Sequence, residues 1–223
     1  MKTHATGFRS SLLALVAVAA IAAPALAGPP LLCHGYDIGT HTSLPWNGQS
    51  WQGHANDIDL KTLVPATERL LTPDTPFIVR METLRRASLY ASRDPKVAAD
   101  LLARITARTR DAKAGKTDQS LALFDTGYLI ETYRQIGMLG GYGDQIGTDT
   151  NAIARLVKDL DGSAMVQQVV AAKPDDPELQ FSAAIVAKAR ERRETYRQHA
   201  AKARVAAKAD TLIAQNMDKM REW

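Results

Sequence analysis

From Pro76 onward the apolar positions of this chain recur at three and four residues, the spacing of one helix face. Ile78, Met81, Leu84 and Ala87 form the first such stripe, which assigns Glu82, Arg85 and Arg86 to solvent and Thr75 to the cap. Asp94-Pro95 opens a second helix, with Val97, Leu101 and Ile105 four apart, that frays at Lys113 to Lys116. Asp118 opens a third, where Leu121, Phe124, Tyr128 and the run from Leu129 to Tyr133 are apolar nearly all round, the pattern of a central helix. Glycines 137, 140, 141, 143 and 147 end it. Short helices are predicted over Asn151 to Leu160 and Ser163 to Ala172; after Lys173-Pro174 and the Asp175-Asp176 turn, a last helix starts at Pro177 with no internal Gly or Pro. No alternating run competes with these. The reading is an all-α fold of antiparallel helix pairs, as an irregular bundle or an α-solenoid.

The N-terminal part follows other rules. Positive residues in Met1 to Ser11, an apolar run from Leu12 to Ala23 and a small-x-small ending at Ala25 and Ala27 predict a signal peptide over 1–27, cleaved after Ala27. The run is broken by Pro24, short of the ~20 residues that span a bilayer. The mature chain is then expected to be periplasmic or secreted. Residues 28–75 read as an irregular lead segment, with a short helix or turn within Leu60 to Leu71 bounded by Pro65 and by the breaker Thr72 to Pro76. Its Trp46, Trp51 and Tyr36 are not the composition of a disordered tail, so it is expected to pack on the helical domain, 76–189.

Residues 190–223 read as an extended basic helix. Between Lys188 and Lys208 eight cationic residues, Arg192, Arg193 and Arg197 among them, face only Glu191 and Glu194. Two readings compete: a solvated helix face, or a contact with an acidic partner or with lipid head groups at the cell envelope. The whole mature chain is nearly neutral, 28 cationic residues less 2 in the leader facing 24 acidic ones, which argues against nucleic acid as a partner.

The hinge region resembles the tetratricopeptide repeat family, TPR, on Gly162, Val166, Val169, Val170 and Pro174, with Leu123, Gly127 and Ile130 standing where the first helix of a repeat would lie. Val169 replaces the usual alanine, Gln180 and Ala187 replace usual aromatics, and the glycine loop adds residues a repeat does not hold. The match covers Leu121 to Ala189. It implies paired helices that present a surface to another protein.

The lead segment also gathers candidate chemistry. Cys33, His34, His41 and His54, with Asp37, Asp57 and Asp59, are ligand types that zinc or copper accepts, at a spacing that matches no metal motif. The same residues could instead pack and cap turns. Cys33 with His34 or His41 supplies the residue types of a thiol nucleophile without a flanking signature. Trp46 and Trp51 around Asn47-Gly48 either anchor the segment or contact a ligand or partner. The glycine loop lacks the Gly-Lys-Ser/Thr and the preceding strand of a phosphate loop. No coherent catalytic set emerges. The expectation is an exported helical interaction module with no cofactor; the alternative is a metal- or ligand-binding protein using the segment from Cys33 to Asp59.

Overall fold

The computed structural model describes residues 28–48, 50–53, 58–115, 118–207 and 212–221. The described residues are helical, with no strand and a single isolated bridge between His34 and Ser50. The leader, His54, Asp57, Lys208 and Trp223 lie outside them. Among the described residues no helix is long and apolar enough to cross a membrane.

Aspartates start most of these helices by accepting backbone amides that have no intrahelical partner. Asp59 caps α1 (Leu60–Leu70), Asp94 caps α3 (Pro95–Lys113) and Asp118 caps α4 (Gln119–Gly137). Asp149, Asp161 and Asp176 do the same for α5 (Thr150–Val157), α6 (Gly162–Ala172) and α7 (Pro177–Ala189). By contrast α2 (Phe77–Ala91) has no side-chain cap from its own neighbourhood. Thr75, expected there, bonds instead to Thr72 and the Leu70 carbonyl. The boundary expected at Pro65 is also corrected, because the helix runs through the proline.

Helices α2 and α4 form the centre. α4 packs on α2, α3, α5, α6 and α7, and α2 reaches α1, α3, α4 and α7. Phe124, Tyr128, Leu129 and Tyr133 of α4 are fully buried, as the all-round apolar pattern required. Where α4 crosses α6, two glycines face each other. A Cβ on Gly162 would stand 2.2 Å from the Gly127 carbonyl, and one on Gly127 would stand 2.7 Å from the Gly162 carbonyl. The backbones meet there because neither residue has a side chain.

The expected continuous last helix is broken. Glu191 takes a left-handed φ of 55°, the Arg192 amide bonds to the Ala187 carbonyl at 2.9 Å, and the Glu191 amide bonds to Lys188 at 3.0 Å. This double bond pattern is a helix-stop motif that glycine usually supplies, so the sequence carried no warning of it. α8 (Arg193–Ala206) then doubles back on α7 through Tyr196, Ala200 and Ala203, and the short α9 (Leu212–Gln215) follows. A 3-10 turn from Met217 to Met220 returns the chain to Tyr196, whose hydroxyl donates to the Met220 carbonyl at 2.5 Å.

Candidate functional site

The lead segment is held by charge. Glu82, Arg85 and Arg86 were assigned to solvent by periodicity, yet Glu82 is 1 % exposed and Arg85 fully buried, because the segment lies over that face of α2. An irregular backbone leaves its amides and carbonyls without mutual partners, and buried ones must find others. Here α2 provides them. Glu82 accepts from the Tyr36 amide at 3.0 Å, Arg85 donates to the Leu32 carbonyl at 3.0 Å and Arg86 to the Leu44 carbonyl at 2.5 Å. Glu82 in turn binds Arg85 at 2.8 Å and Arg86 at 2.6 Å. Burial alone would lift the Glu82 carboxyl, but the hydrogen bonds and charges of Arg85, with Arg86 and the Tyr36 amide, hold it below its ordinary value. A second buried group, Asp125 between Arg80 at 2.7 Å and Arg108 at 2.9 Å, fixes the breaker, since the two arginines also donate to the Thr72, Thr75 and Leu71 carbonyls.

Trp46 belongs to the lead-segment clamp. Its ring meets Tyr90 edge-on at 5.4 Å, lies 4.9 Å from the Arg85 guanidinium and sends its indole N–H to the Ser50 carbonyl. Trp51 packs half-buried against the core. The structure places both as anchors of the segment.

The residues named for a metal stand in different surroundings. Cys33 lies against Gly28 in the field of Arg85, His34 is exposed beside Ser50, and His41 lines a hollow with Arg69, Thr72 and Asp74. Among the described residues no three His, Cys, Asp or Glu side chains gather closely enough to hold an ion. Burial also lifts the Cys33 thiol above its ordinary value against the opposing pull of Arg85, which keeps the thiolate scarce.

An open hollow of about 790 Å³ lies at the glycine loop, a 3-10 turn from Gly140 to Ile146. Its walls include Asp144 and Asp149 and no Lys or Arg, and Asp149 already occupies the amides of α5. Such a wall repels an anion.

The hinge between α6 and α7 has a different character. An open groove of about 420 Å³ runs on each side of it. One is walled by Pro174, Pro177 and Gln180 on the hinge side and by Ala201, Lys202, Val205 and Ala206 of α8, and Val205 is 90 % exposed. The other is walled by Lys173, Asp176 and Glu178 and by the breaker from Pro73 to Phe77; Pro177 lines both. Glu178 spans the second groove to supply the cap that α2 lacks, accepting the Ile78 amide at 3.0 Å. Burial lifts its carboxyl above the ordinary value, with Asp176 adding to the rise and the Ile78 and Phe77 amides and His41 opposing it.

The basic stretch divides between internal and outward roles. Arg190 binds Glu131 at 2.6 Å and Asp161 at 3.5 Å, Lys188 donates to the Arg221 carbonyl at 2.7 Å, Arg204 to the Met220 carbonyl at 2.6 Å, and Arg192 to the Ser163 hydroxyl at 3.4 Å. Arg193, Arg197 and Lys202 face solvent on α8. Helical spacing sets Arg193 and Arg197 along one flank and Lys202 along the other, beside the apolar groove. Periodicity missed Glu178 and His199, since nothing local pointed Glu178 at a helix 100 residues away. The chain matches no protein-family model, and no curated protein or solved structure is similar to it.

Proposed function

We propose that this protein is an exported helical module that grips another protein across the hinge from Lys173 to Glu178. One observation carries the reading: two open grooves meet at Pro177, one of them largely apolar, walled by exposed Val205 and rimmed by Lys202. An exposed apolar strip with a polar rim is the arrangement of a protein contact surface. The TPR-like spacing from Gly162 to Pro174 supports it, because that family presents helix pairs to partners. The apolar wall gives the grip, and Arg197 and Lys202, which have no ion pair among the described residues, favour a partner with acidic groups.

The test is a photo-crosslinking residue placed at Ala201 in the groove or at Asp100 on α3, both exposed, in the cell that makes the protein. A discrete adduct from Ala201, absent from Asp100 and weakened by Lys202→Glu, is expected. Equal labelling at the two positions would sink the idea. Export is tested separately by N-terminal sequencing of the accumulated protein, which should begin at Gly28; a chain beginning at Met1 in the cytosol overturns that part.

A further inference from the structure

Asn47 and Gly48 form an exposed turn of the lead segment, between Trp46, held against Tyr90 and Arg85, and Ser50, which bridges to His34. Gly48 takes a left-handed φ of 76°, which its missing side chain permits, and a Cβ built there would meet nothing within 4 Å. Among the described residues the Asn47 carboxamide has no hydrogen-bond partner and the Gly48 amide donates to no acceptor. The carboxamide carbon of an asparagine stands where it can close a five-membered ring with the next backbone nitrogen. Here both reacting groups are free, and no side chain on the following residue crowds their approach.

The fold treats the other described asparagines differently. Asn216 is fully buried, and its carboxamide is engaged by Asp37 and by the Leu212 carbonyl. Asn151 lies in α5, where the next amide, that of Ala152, already donates to Asp149 at 2.9 Å. Among the described asparagines, an exposed carboxamide and an unengaged amide after it coincide at Asn47.

We propose that Asn47 is a self-modifying site, which the Gly48 nitrogen converts to aspartate and isoaspartate in the folded protein. That nitrogen bonds to Cγ of Asn47 and gives up its proton; the bond from Cγ to Nδ2 breaks, and ammonia leaves with the proton. The product is a five-membered imide. Solvent water then opens it. Addition at Cγ restores the original main chain with an aspartate side chain, whereas addition at the main-chain carbonyl carbon routes the chain through Cγ and frees that carbonyl as a carboxylate. Nothing is oxidised or reduced, and water is the one reactant added. The second product alters the turn. The Asn47 carbonyl packs on the Gly53 backbone, since a Cβ on Gly53 would stand 2.1 Å from that oxygen, and the Asn47 amide donates to the Gly53 carbonyl at 2.6 Å. Isomerisation places a charge inside this contact and loosens it, while the Trp46 ring keeps its places on Tyr90 and Arg85. The site is independent of the grooves at the hinge.

The experiment ages the purified protein in neutral buffer, folded and in urea, and follows each asparagine by peptide mass spectrometry with fragmentation that separates isoaspartate from aspartate. Folded, Asn47 is expected to lose its amide, with isoaspartate among the products, at a rate within about tenfold of the unfolded chain, a barrier difference of about 1.4 kcal/mol. Asn151 and Asn216 should keep their amides until urea is added. Protection of Asn47 beyond that limit, loss at Asn151 or Asn216 that keeps pace with it, or aspartate as the sole product overturns the proposal. In Asn47→Gln the ring would need six members, so the modification should vanish from position 47; an undiminished rate there overturns the mechanism. In the separated isoaspartate form, hydrogen exchange at the residue 47 amide should rise, and an unchanged rate would show that the turn does not loosen.

Discussion

The lead segment and α8 are held to the core by different means. Residues 28–53 have almost no repeating structure, yet the carbonyls of Leu32, Leu44 and Pro45 and the amide of Tyr36 end on Arg85, Arg86, Tyr90 and Glu82. α8 is a regular helix that meets its own backbone needs and packs closely along α7, where Tyr196, Ala200 and Ala203 are buried. The irregular strip must borrow partners from buried charges and is fixed by them; the helix needs none for its backbone and is held by apolar packing.

The largest way to break this contrast is Glu82→Gln. It removes the carboxylate that binds Arg85, Arg86 and the Tyr36 amide, leaving the Arg85 charge in the core. Breaking one partner of a buried pair costs about 3–5 kcal/mol, and urea unfolding should report a loss of that size. The pH dependence has a definite sign. Because the folded carboxyl lies below 4.5, its contribution is present above 4.5 and disappears as pH falls through the folded value, a loss the variant should no longer show. A variant within 1 kcal/mol of wild type, on the order of a single surface change, would mean that the clamp does not set the segment's position.

Asn216 joins the two regions. Fully buried, it accepts the Asp37 amide at 2.8 Å and donates to the Asp37 carbonyl at 2.7 Å, so the chain's last turn is tied to the lead segment. Asn216→Ala strands both groups of Asp37 and should cost about 1–3 kcal/mol. The same variant should raise hydrogen exchange at Asp37 and Gly39 while leaving Tyr36, held by Glu82, protected. Exchange that rises equally at Tyr36 would show that the two ends are held as one unit.

How much of this was readable in the residues depends on how local the cause was. The starts at Asp94-Pro95 and Asp176-Pro177 followed from capping within a few residues, and the central place of α4 from its apolar circumference. Glu82 and Arg85 were misassigned because periodicity sees only the helix and not the strip laid over it. The hinge was visible as a turn, but its grooves depend on α8 returning beside it, and that return rests on Glu191 adopting a conformation the residue disfavors. Of the candidate metal residues, Cys33, His34 and His41 were close in sequence and stand in different surroundings, since an irregular segment does not keep neighbours together.

That conformation gives a smaller and opposite prediction. A non-glycine residue at a left-handed φ loses about 1–2 kcal/mol, so Glu191→Gly should recover part of it and firm the turn that sends α8 back. The gain is offset by the freer unfolded glycine, which leaves about 0.5–1 kcal/mol to be read as a higher urea midpoint. A lower midpoint would show that the Glu191 side chain itself holds the turn.

The smallest expected effect on the fold separates holding from gripping. Arg197 and Lys202 face solvent without an ion pair among the described residues, so reversing both, Arg197→Glu with Lys202→Glu, should move stability by no more than about 0.5 kcal/mol. Lys202 also acts on the His199 ring, and removing its positive charge there should raise the ring's midpoint, which an NMR titration would read. If the reversal instead destabilises the chain as much as the loss of Asn216, then the outward face of α8 holds the fold together. The contrast between a strip clamped by charge and a helix held by apolar packing would then fail at the point where it was drawn.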